Sequence, residues 1–391
     1  MKTRNRFLRP ARVAVCIAAC AAGSRAAVPP RAHAESVAIG RYAEIHVGVS
    51  HRHAYATEGG DAQRTGRSRA HAPSAPPTRR WSVVLPTQRL LAPLVMADGT
   101  LIVGSATGVY ALDPRDGLQR WFAPIGAVRG SPSITPDGEV TVVADGKLLT
   151  LQEGGRARQR GALVDLVGEL LVLDSGALVV AGLDGALHVV APDGSDVSSV
   201  TWDATLPRWL ASQRGGSVVV AGLAAEVMLM SHGRGGARRV QIGESVTVRP
   251  LVGDGDSVWA LSERGTVWVI APGAVPQPIA SLGQNGISVP ASLGRDGGLR
   301  VALRYGEIVC VDASGTIRWR RGIDSPSSPM LLAADDTTLL VSGAGTLYAI
   351  DHSGELRWRV ATEMRAGGRP VMGADGTLYL VGRGGRIEAW R

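Results

Sequence analysis

The chain has 391 residues, of which 45% are hydrophobic and 51 are glycine, so it is long enough for one large repeat domain or two ordinary ones. Its formal charge of +8 belongs to the first eighty residues, which hold 14 Lys/Arg and 4 Asp/Glu; the rest holds 28 basic and 30 acidic residues, a charge of −2. A nucleic-acid-binding surface is therefore not expected, because it needs cations clustered on the folded part.

Residues 1–34 are predicted to be an export leader. Five cations precede the uncharged run VAVCIAACAAG, which is too short to span a bilayer as a helix. Two cleavage sites compete: Ile17-Ala18-Ala19-Cys20 is similar to a lipobox, in which Cys20 would be lipidated, and Ala32-His33-Ala34 is a small-x-small site. The expected location is the periplasm or the outer membrane for a lipoprotein, and otherwise the secreted fraction, with membrane contact only through a lipid on Cys20.

Residues 35–78 are predicted to be a disordered, flexible linker. The stretch is rich in Ala, Gly, Ser, Arg and His, and it ends in HAPSAPPTRR. Such a composition offers too little apolar surface to offset the entropy lost on ordering.

Residues 79–391 contain a repeated pattern of about forty residues. Each unit has a Pro-containing apolar run, an Asp-Gly turn, a β-branched run, a Gly-rich turn, another apolar run and a turn into a Trp segment, which predicts a meander of four short strands. The spacing of 39 to 41 residues is interrupted by one gap of 118, which leaves room for two weaker units over 170–194 and 209–230, or eight in all. The prolines that set the spacing are Pro93, Pro132, Pro250, Pro290, Pro329 and Pro370.

Eight such units predict an all-β fold, an eight-bladed β-propeller of four-stranded antiparallel blades. The eighth unit stops before its outer strand, and Trp81–Leu85 is an unassigned segment similar to that strand. We therefore expect Trp81–Leu85 to pair with the strand around Ile387–Trp390 and to close the ring in one blade.

A tryptophan motif identifies the kind of propeller. In ALDPRDGLQRW, Asp113, Gly117 and Trp121 have a spacing that recurs, one residue shorter, before Trp319 and Trp358. This motif resembles the tryptophan-docking motif of pyrroloquinoline-quinone (PQQ)-type repeat propellers, in which the indole packs on the neighbouring blade. The resemblance assigns a structural docking role to Trp81, Trp121, Trp319 and Trp358.

The resemblance implies two functions of different classes. Quinoprotein dehydrogenases are enzymes that use PQQ and Ca²⁺, and many carry an adjacent cysteine pair; here the folded part has only Cys310, in an apolar run that predicts a core residue. BamB-type outer-membrane assembly lipoproteins are non-catalytic envelope proteins of similar length. No catalytic residue, metal ligand or cofactor is expected, and the predicted function is a monomeric scaffold that binds an envelope protein. The alternative is a PQQ-dependent oxidoreductase.

Four arginines are candidate binding residues at the mouth of the central funnel. Three of them immediately precede the proline of a first strand or its equivalent, and the fourth lies three residues before one: Arg208, Arg249, Arg369 and Arg129. If the four converge, they favour a small anionic ligand or an acidic partner segment. A propeller that binds a small anionic ligand or a glycan at the central funnel is a further alternative function. If they do not, each is paired with an acid or solvated.

Overall fold

The computed structural model describes residues 53–391 except 196, 202–206, 215, 223, 231–235, 284–285, 288, 326–327 and 366. The predicted leader and Cys20 lie outside the described residues. The described chain forms eight four-stranded antiparallel sheets, and these are the blades of a β-propeller. This architecture confirms the predicted fold class and blade number.

Each of blades 1 to 7 is one continuous stretch of chain, and its first strand lies nearest the axis. Strand β1 (Arg79–Val84) belongs to blade 8. Blade 1 has β2 (Leu94–Val95), β3 (Leu101–Gly104), β4 (Val109–Leu112) and β5 (Gln119–Ala123), and blade 2 has β6 (Val128–Ile134), β7 (Val140–Ala144), β8 (Lys147–Leu151) and β9 (Ala157–Gln159). Blade 3 has β10 (Leu166–Val172), β11 (Leu178–Gly182), β12 (Ala186–Val190) and β13 (Val197–Thr201). Blade 4 has β14 (Trp209–Ser212), β15 (Val218–Ala221), β16 (Glu226–Met230) and β17 (Ala237–Gln241).

Blades 5 to 8 follow the same plan. Blade 5 has β18 (Leu251–Val252), β19 (Val258–Leu261), β20 (Thr266–Ile270) and β21 (Gln277–Ser281), and blade 6 has β22 (Ser292–Leu293), β23 (Leu299–Leu303), β24 (Glu307–Val311) and β25 (Ile317–Gly322). Blade 7 has β26 (Leu331–Leu332), β27 (Thr338–Val341), β28 (Thr346–Ile350) and β29 (Leu356–Ala361). Blade 8 has β30 (Val371–Met372), β31 (Leu378–Val381), β32 (Arg386–Trp390) and β1. In the described part of the chain, two single-turn 3₁₀ segments lie at Glu153–Gly155 and Arg383–Gly385. No helix among the described residues is long and apolar enough to cross a membrane.

The middle strands are mostly apolar because both of their faces are covered by neighbouring blades. Strands β7 (VTVVA) and β11 (LVVAG) are buried at every position, whereas the outer strand β25 alternates between exposed and half-buried positions. A continuous β-branched run is the pattern expected of a strand buried on both faces.

Strand β1 closes the ring by adding the outer strand to blade 8. It pairs antiparallel with β32, with Trp81 opposite Ala389 and Val83 opposite Ile387. The predicted clasp is therefore confirmed, and it removes two sheet edges that would otherwise be open to pairing.

Tryptophans on the outer strands pack on the next blade. The Trp81 indole N–H donates to the Pro114 carbonyl of blade 1 at 2.9 Å, and the Trp319 indole donates to the His352 carbonyl of blade 7 at 2.9 Å. Trp121 lies against Gly155 of blade 2. Trp81 and Trp319 thus bury apolar area at a blade-to-blade junction and satisfy their polar N–H groups there, and Trp121 packs at the equivalent junction.

An aspartate–arginine pair also ties the first turn of a blade to its own outer strand. Asp98 binds Arg120 at 2.9 Å in blade 1, and Asp335 binds Arg357 at 2.6 Å in blade 7. In both blades the arginine directly precedes the docking tryptophan. The pair therefore helps to fix the strand that carries the indole.

Candidate functional site

The ring has two faces that follow from the order of the strands. Because successive turns of an antiparallel meander alternate between ends, the turns after the first and third strands share one face. We call this the turn face; in blade 1 it holds residues 96–100 and 113–118. The opposite face, the loop face, holds the hairpins between second and third strands, such as 105–108, and the connections between blades, such as 124–127.

The axis of the propeller is filled by the chain itself. Residues 53–73, here called the axial segment, enter from the turn face, where the backbone N–H of Ala97 donates to the His53 ring. Tyr55, Arg64 and Thr65 are at most 2% exposed. The predicted flexible linker over 35–78 is therefore wrong for residues 53–78; residues 35–52 lie outside the described residues.

The axial segment is held by hydrogen bonds to the first strands of seven blades in turn. Tyr55 pairs with Val95 of blade 1 in both directions, and the Arg64 guanidinium donates to the Leu170 and Leu210 carbonyls of blades 3 and 4. Further carbonyl acceptors on the segment receive backbone N–H groups of blades 2, 4, 5, 6 and 7: Ala56 from Ile134, Ala62 from Ser212, Gln63 from Val252, Thr65 from Leu293, and Gly66 from Leu332. The segment satisfies inner strand edges that would otherwise be unpaired.

Glycines allow the segment to turn in this narrow space. Gly60 and Gly66 have φ of 83° and 81°, values that favour glycine over other residues. A side chain at Gly60 would collide with the Arg67 carbonyl, and one at Gly66 would collide with the Arg369 guanidinium. The glycine-rich composition that suggested a linker is required here for close packing.

Buried charges at the axis compensate one another. Arg249 at the start of blade 5 binds Glu58 of the axial segment at 3.2 Å and forms a second, close ion pair with Glu169 of blade 3. Glu58 also accepts from the Ser131 hydroxyl of blade 2 at 2.9 Å. One carboxylate–guanidinium cluster thus ties the axial segment to three blades.

The pKa values of Glu58 and Arg249 are shifted by their mutual attraction. Burial alone would raise the pKa of Glu58, but the Arg249 charge and hydrogen bond outweigh it and lower the pKa to about 2. Burial would lower the pKa of Arg249, yet the charges of Glu169 and Glu58 raise it. Glu58 and Arg249 are therefore both ionised at neutral pH.

The four arginines predicted at the funnel mouth fall into two pairs. Arg249 and Arg369 meet at the axis but are buried; Arg369 donates to the Ser292 hydroxyl at 2.7 Å and to the Met330 carbonyl. Arg129 and Arg208 are exposed on the loop face, and Arg208 lies over the Trp209 ring. The structure thus leaves no shared positive mouth made of these four residues.

The charged residues of the axial segment were not predicted as site residues from the sequence. Glu58, which binds Arg249, lies with Asp61 and Arg64 in the stretch that was interpreted as a linker. The available signal was that Glu58 and Asp61 are two of only four acids in the first eighty residues.

The axial segment also completes the turn face of blade 8. That blade lacks a turn between its third and fourth strands, because the two strands, β32 and β1, come from opposite ends of the chain. The Trp358 indole donates instead to the Pro73 carbonyl at 2.8 Å. Pro73 therefore takes the place that Pro114 has opposite Trp81.

The described residues do not fit a calcium-dependent cofactor site. Calcium prefers six to eight oxygen ligands, with several carboxylates among them. No three His, Cys, Asp or Glu side chains in the described part of the chain converge to hold a metal ion. At the axis, Glu58 and Glu169 are bound by Arg249, and Asp61 accepts from Thr65.

Cys310 is a core residue, as predicted from its apolar surroundings. It is fully buried in β24, and burial raises the pKa of its thiol to about 11. A thiol with such a pKa is mostly protonated at neutral pH and is a poor nucleophile.

One groove of about 510 Å³ opens on the turn face between blades 1 and 2. Trp121 and Met96 supply apolar walls, and Arg120 supplies the charge. Because Arg120 already binds Asp98 and Asp113, the groove presents no unpaired cation to a ligand.

The repeats, the docked tryptophans and the eightfold ring define a class of fold: the chain is an eight-bladed β-propeller, similar to the PQQ-like repeat propellers. Residues 254–391, about a third of the chain, match the family described as outer membrane protein assembly factor BamB. No curated protein sequence matches the chain.

Solved structures of several functional classes share the fold. BamB from Moraxella catarrhalis is 16% identical, with a TM-score of 0.64, and the match covers 81% of this chain and 99% of that one. Quinohemoprotein alcohol dehydrogenase from Comamonas testosteroni is 14% identical, with a TM-score of 0.70 and coverage of 91% and 83%. Virginiamycin B lyase from Staphylococcus aureus is 12% identical, with a TM-score of 0.52 and coverage of 66% and 93%. At these identities the likeness extends to the fold alone.

Proposed function

We propose that this protein is a non-catalytic, exported β-propeller that acts as a monomeric protein–protein interaction scaffold in the bacterial cell envelope. The observation that carries the proposal is the filled axis. Residues 55–68 hydrogen-bond to the inner strands of seven blades, and the axial charges are neutralised internally. The surfaces that this arrangement leaves for a partner are the outer loops, which suit protein contacts better than a buried small molecule.

Two further observations support the envelope assignment. The match of residues 254–391 is to an outer-membrane assembly factor, and the BamB structure is covered over 99% of its length. The leader over residues 1–34 carries the pattern of an export signal, with Cys20 as the candidate lipidation site.

The proposal is tested by fractionating cells that express the full chain and by photo-crosslinking in those cells. We expect the mature protein in the envelope fraction, with a mass that places cleavage before Cys20 or after Ala34. Crosslinkers at the exposed loop-face positions Leu183 and Tyr305 are expected to capture an envelope protein. Recovery in the cytosol without a crosslinked product would contradict the proposal.

A PQQ-dependent oxidoreductase is the second candidate, favoured by the dehydrogenase fold that matches 91% of this chain. Titration of the purified protein with PQQ and Ca²⁺, followed by cofactor absorbance and dye-linked alcohol oxidation, separates the two. Stoichiometric binding with turnover would replace the scaffold proposal by the enzyme.

A further inference from the structure

Three loops of the closing blade and its neighbours meet at one place on the loop face. They are the connection from β1 to β2 (85–93), the connection from β29 to β30 (362–370) and the turn Arg383–Gly385. The backbone N–H of Arg383 faces the Arg365 carbonyl at 3.4 Å, and that of Gly384 faces the Gln88 carbonyl at 3.3 Å. The three loops therefore form one connected surface.

Glycine fixes how closely these loops approach. Gly385 has a φ of 79°, and its backbone carbonyl accepts from the Leu85 N–H at 2.8 Å. A side chain at this position would collide with the Leu85 and Thr87 carbonyls. The 383–385 turn is thus held against the 85–89 loop by contacts that other residues would break.

Each loop contributes one exposed arginine, and we call this set, Arg89, Arg365 and Arg383, the arginine corner. None of the three forms an ion pair within the described residues, in contrast to Arg120 and Arg357 on the turn face.

The single acidic residue of the three loops does not neutralise the corner. Glu363 is bound by Arg79 at 2.9 Å and by Arg386 at 3.6 Å. Three positive charges are therefore left without a partner on one surface of a folded part, residues 53–391, whose 33 Lys/Arg and 32 Asp/Glu otherwise nearly balance.

We propose that the arginine corner binds an acidic segment of the partner protein, through carboxylates of Asp or Glu side chains. This inference rests on the proposed scaffold function and names the chemistry of the partner. A guanidinium presents two parallel N–H groups to a carboxylate, which gives orientation as well as attraction. Unpaired charges at an interface also accelerate association with an oppositely charged partner.

The size and place of the corner favour a protein segment over a membrane surface. Recognition of anionic lipid typically uses clusters of about four to eight basic residues, and the corner has three. It lies on the loop face, whereas the axial segment enters beside Ala97 and leaves beside Trp358 on the turn face. An acidic segment can therefore occupy the corner without displacing the chain's own axial residues.

The test uses the full-length protein and a fluorescein-labelled hexaglutamate peptide, with hexaglutamine as the uncharged probe. We expect hexaglutamate to bind at low ionic strength and to weaken as salt is added, because exposed charges are screened. The triple variant R89Q/R365Q/R383Q should lose about tenfold in affinity, since three exposed ion pairs are removed at about two- to threefold each. All three positions are exposed, so its melting temperature should match that of the wild type.

A charge-matched control removes three other loop-face cations, K147Q/R264Q/R304Q, which are exposed on blades 2, 5 and 6. Its affinity should stay within about twofold of the wild type if position, and not net charge, is what matters. Equal losses in both triple variants, no binding of hexaglutamate to the wild type, or binding only to phosphatidylglycerol vesicles would overturn the proposal.

Photo-crosslinking separates this inference from the proposed function. If wild type and R89Q/R365Q/R383Q capture the same envelope protein equally, the corner is not the contact and the scaffold proposal stands. If the peptide binds the corner but the wild type captures no envelope protein, the corner stands as an acidic-segment site and the scaffold proposal fails.

Discussion

The rim and the axis of this propeller hold the same eight blades together by different means. At the rim, the contacts are repeated: Trp319 packs on blade 7 as Trp81 packs on blade 1, each with one hydrogen bond of 2.9 Å. At the axis, one segment that occurs once in the sequence contacts seven inner strands. Rim contacts join neighbours, whereas the axial segment joins blades that are not adjacent.

The difference between rim and axis shows how the contacts that stabilise the propeller are distributed among the blades. Loss of one rim contact affects one junction, and the other junctions keep theirs. Loss of the axial segment affects nearly every blade at once, because its hydrogen bonds and the Arg249 cluster are shared among them. Variants at the axis should therefore be more destabilising than variants at the rim.

The largest effect is expected from replacing residues 54–72 with a Gly/Ser sequence of equal length. The Glu58 ion pair, the Arg64 hydrogen bonds and the packing of Tyr55 are lost, at about 1 kcal/mol or more each. The eight backbone hydrogen bonds to the inner strands can form again only if a more flexible chain is ordered, which costs additional conformational entropy. We expect the melting temperature, measured by circular dichroism, to fall by about 10 °C or more. Replacement of the exposed residues 74–76 by Gly-Ser-Gly is the matched control and should change it little. Equal melting of the two variants would show that the axial segment is dispensable.

Deletion of residues 79–86 should also lower the melting temperature sharply. It removes β1, opens two sheet edges in blade 8 and exposes the surface under Trp81. A melting temperature equal to that of the intact chain would contradict the role of the clasp.

The next effect concerns the buried cluster. Arg249→Met removes the partner of Glu58 and Glu169 and should destabilise the protein by about 3–5 kcal/mol, because a buried charge left unpaired is costly. Urea denaturation at pH 7 measures the loss. Arg208→Met, at an exposed arginine of the same repeat position, should cost less than about 1 kcal/mol; similar losses in both would refute a special role for the cluster.

The same cluster predicts a pH dependence. The folded-state pKa of Glu58, about 2, lies below the ordinary value of 4.5, so its contribution to stability is complete above about pH 5 and is lost as the pH falls toward 2. Glu58→Gln should lower the free energy of unfolding at pH 7. It should also make the midpoint of urea denaturation depend less on pH between pH 5 and pH 2.5. An unchanged slope in that window would mean that other carboxylates carry the acid sensitivity.

The smallest effect is expected at single rim hydrogen bonds. Trp319→Phe and Trp358→Phe keep an aromatic ring but lose the indole N–H, at about 1 kcal/mol each. Thermal melts should show similar small shifts for the two. A much larger shift for Trp358→Phe would indicate that its bond to Pro73 anchors the axial segment as well as the rim.

The rim could be predicted from sequence and the axis could not, for a physical reason. Each rim contact recurs with the repeat, so Trp121 and Trp358 are visible as members of a series. The axial segment binds mostly through its backbone, and backbone hydrogen bonds leave little trace in side-chain pattern. Gly60 and Gly66 look like linker residues unless the space around them is known. Of the four arginines predicted at the funnel mouth, Arg249 and Arg369 lie buried at the axis, and Glu58, which binds Arg249, lies in the segment that was interpreted as a linker.

The clasp and the axial segment have a consequence for synthesis. Residues 53–84 leave the ribosome before any of their partners, and β1 finds its partner only when β32 has been made. A chain interrupted anywhere before β32 thus keeps an unpaired strand and leaves an inner edge open, both of which chaperones and proteases recognise. Because residues 53–84 are made first but find their last partners only in β32, the exposed strand edges are covered only after the whole propeller has been synthesised.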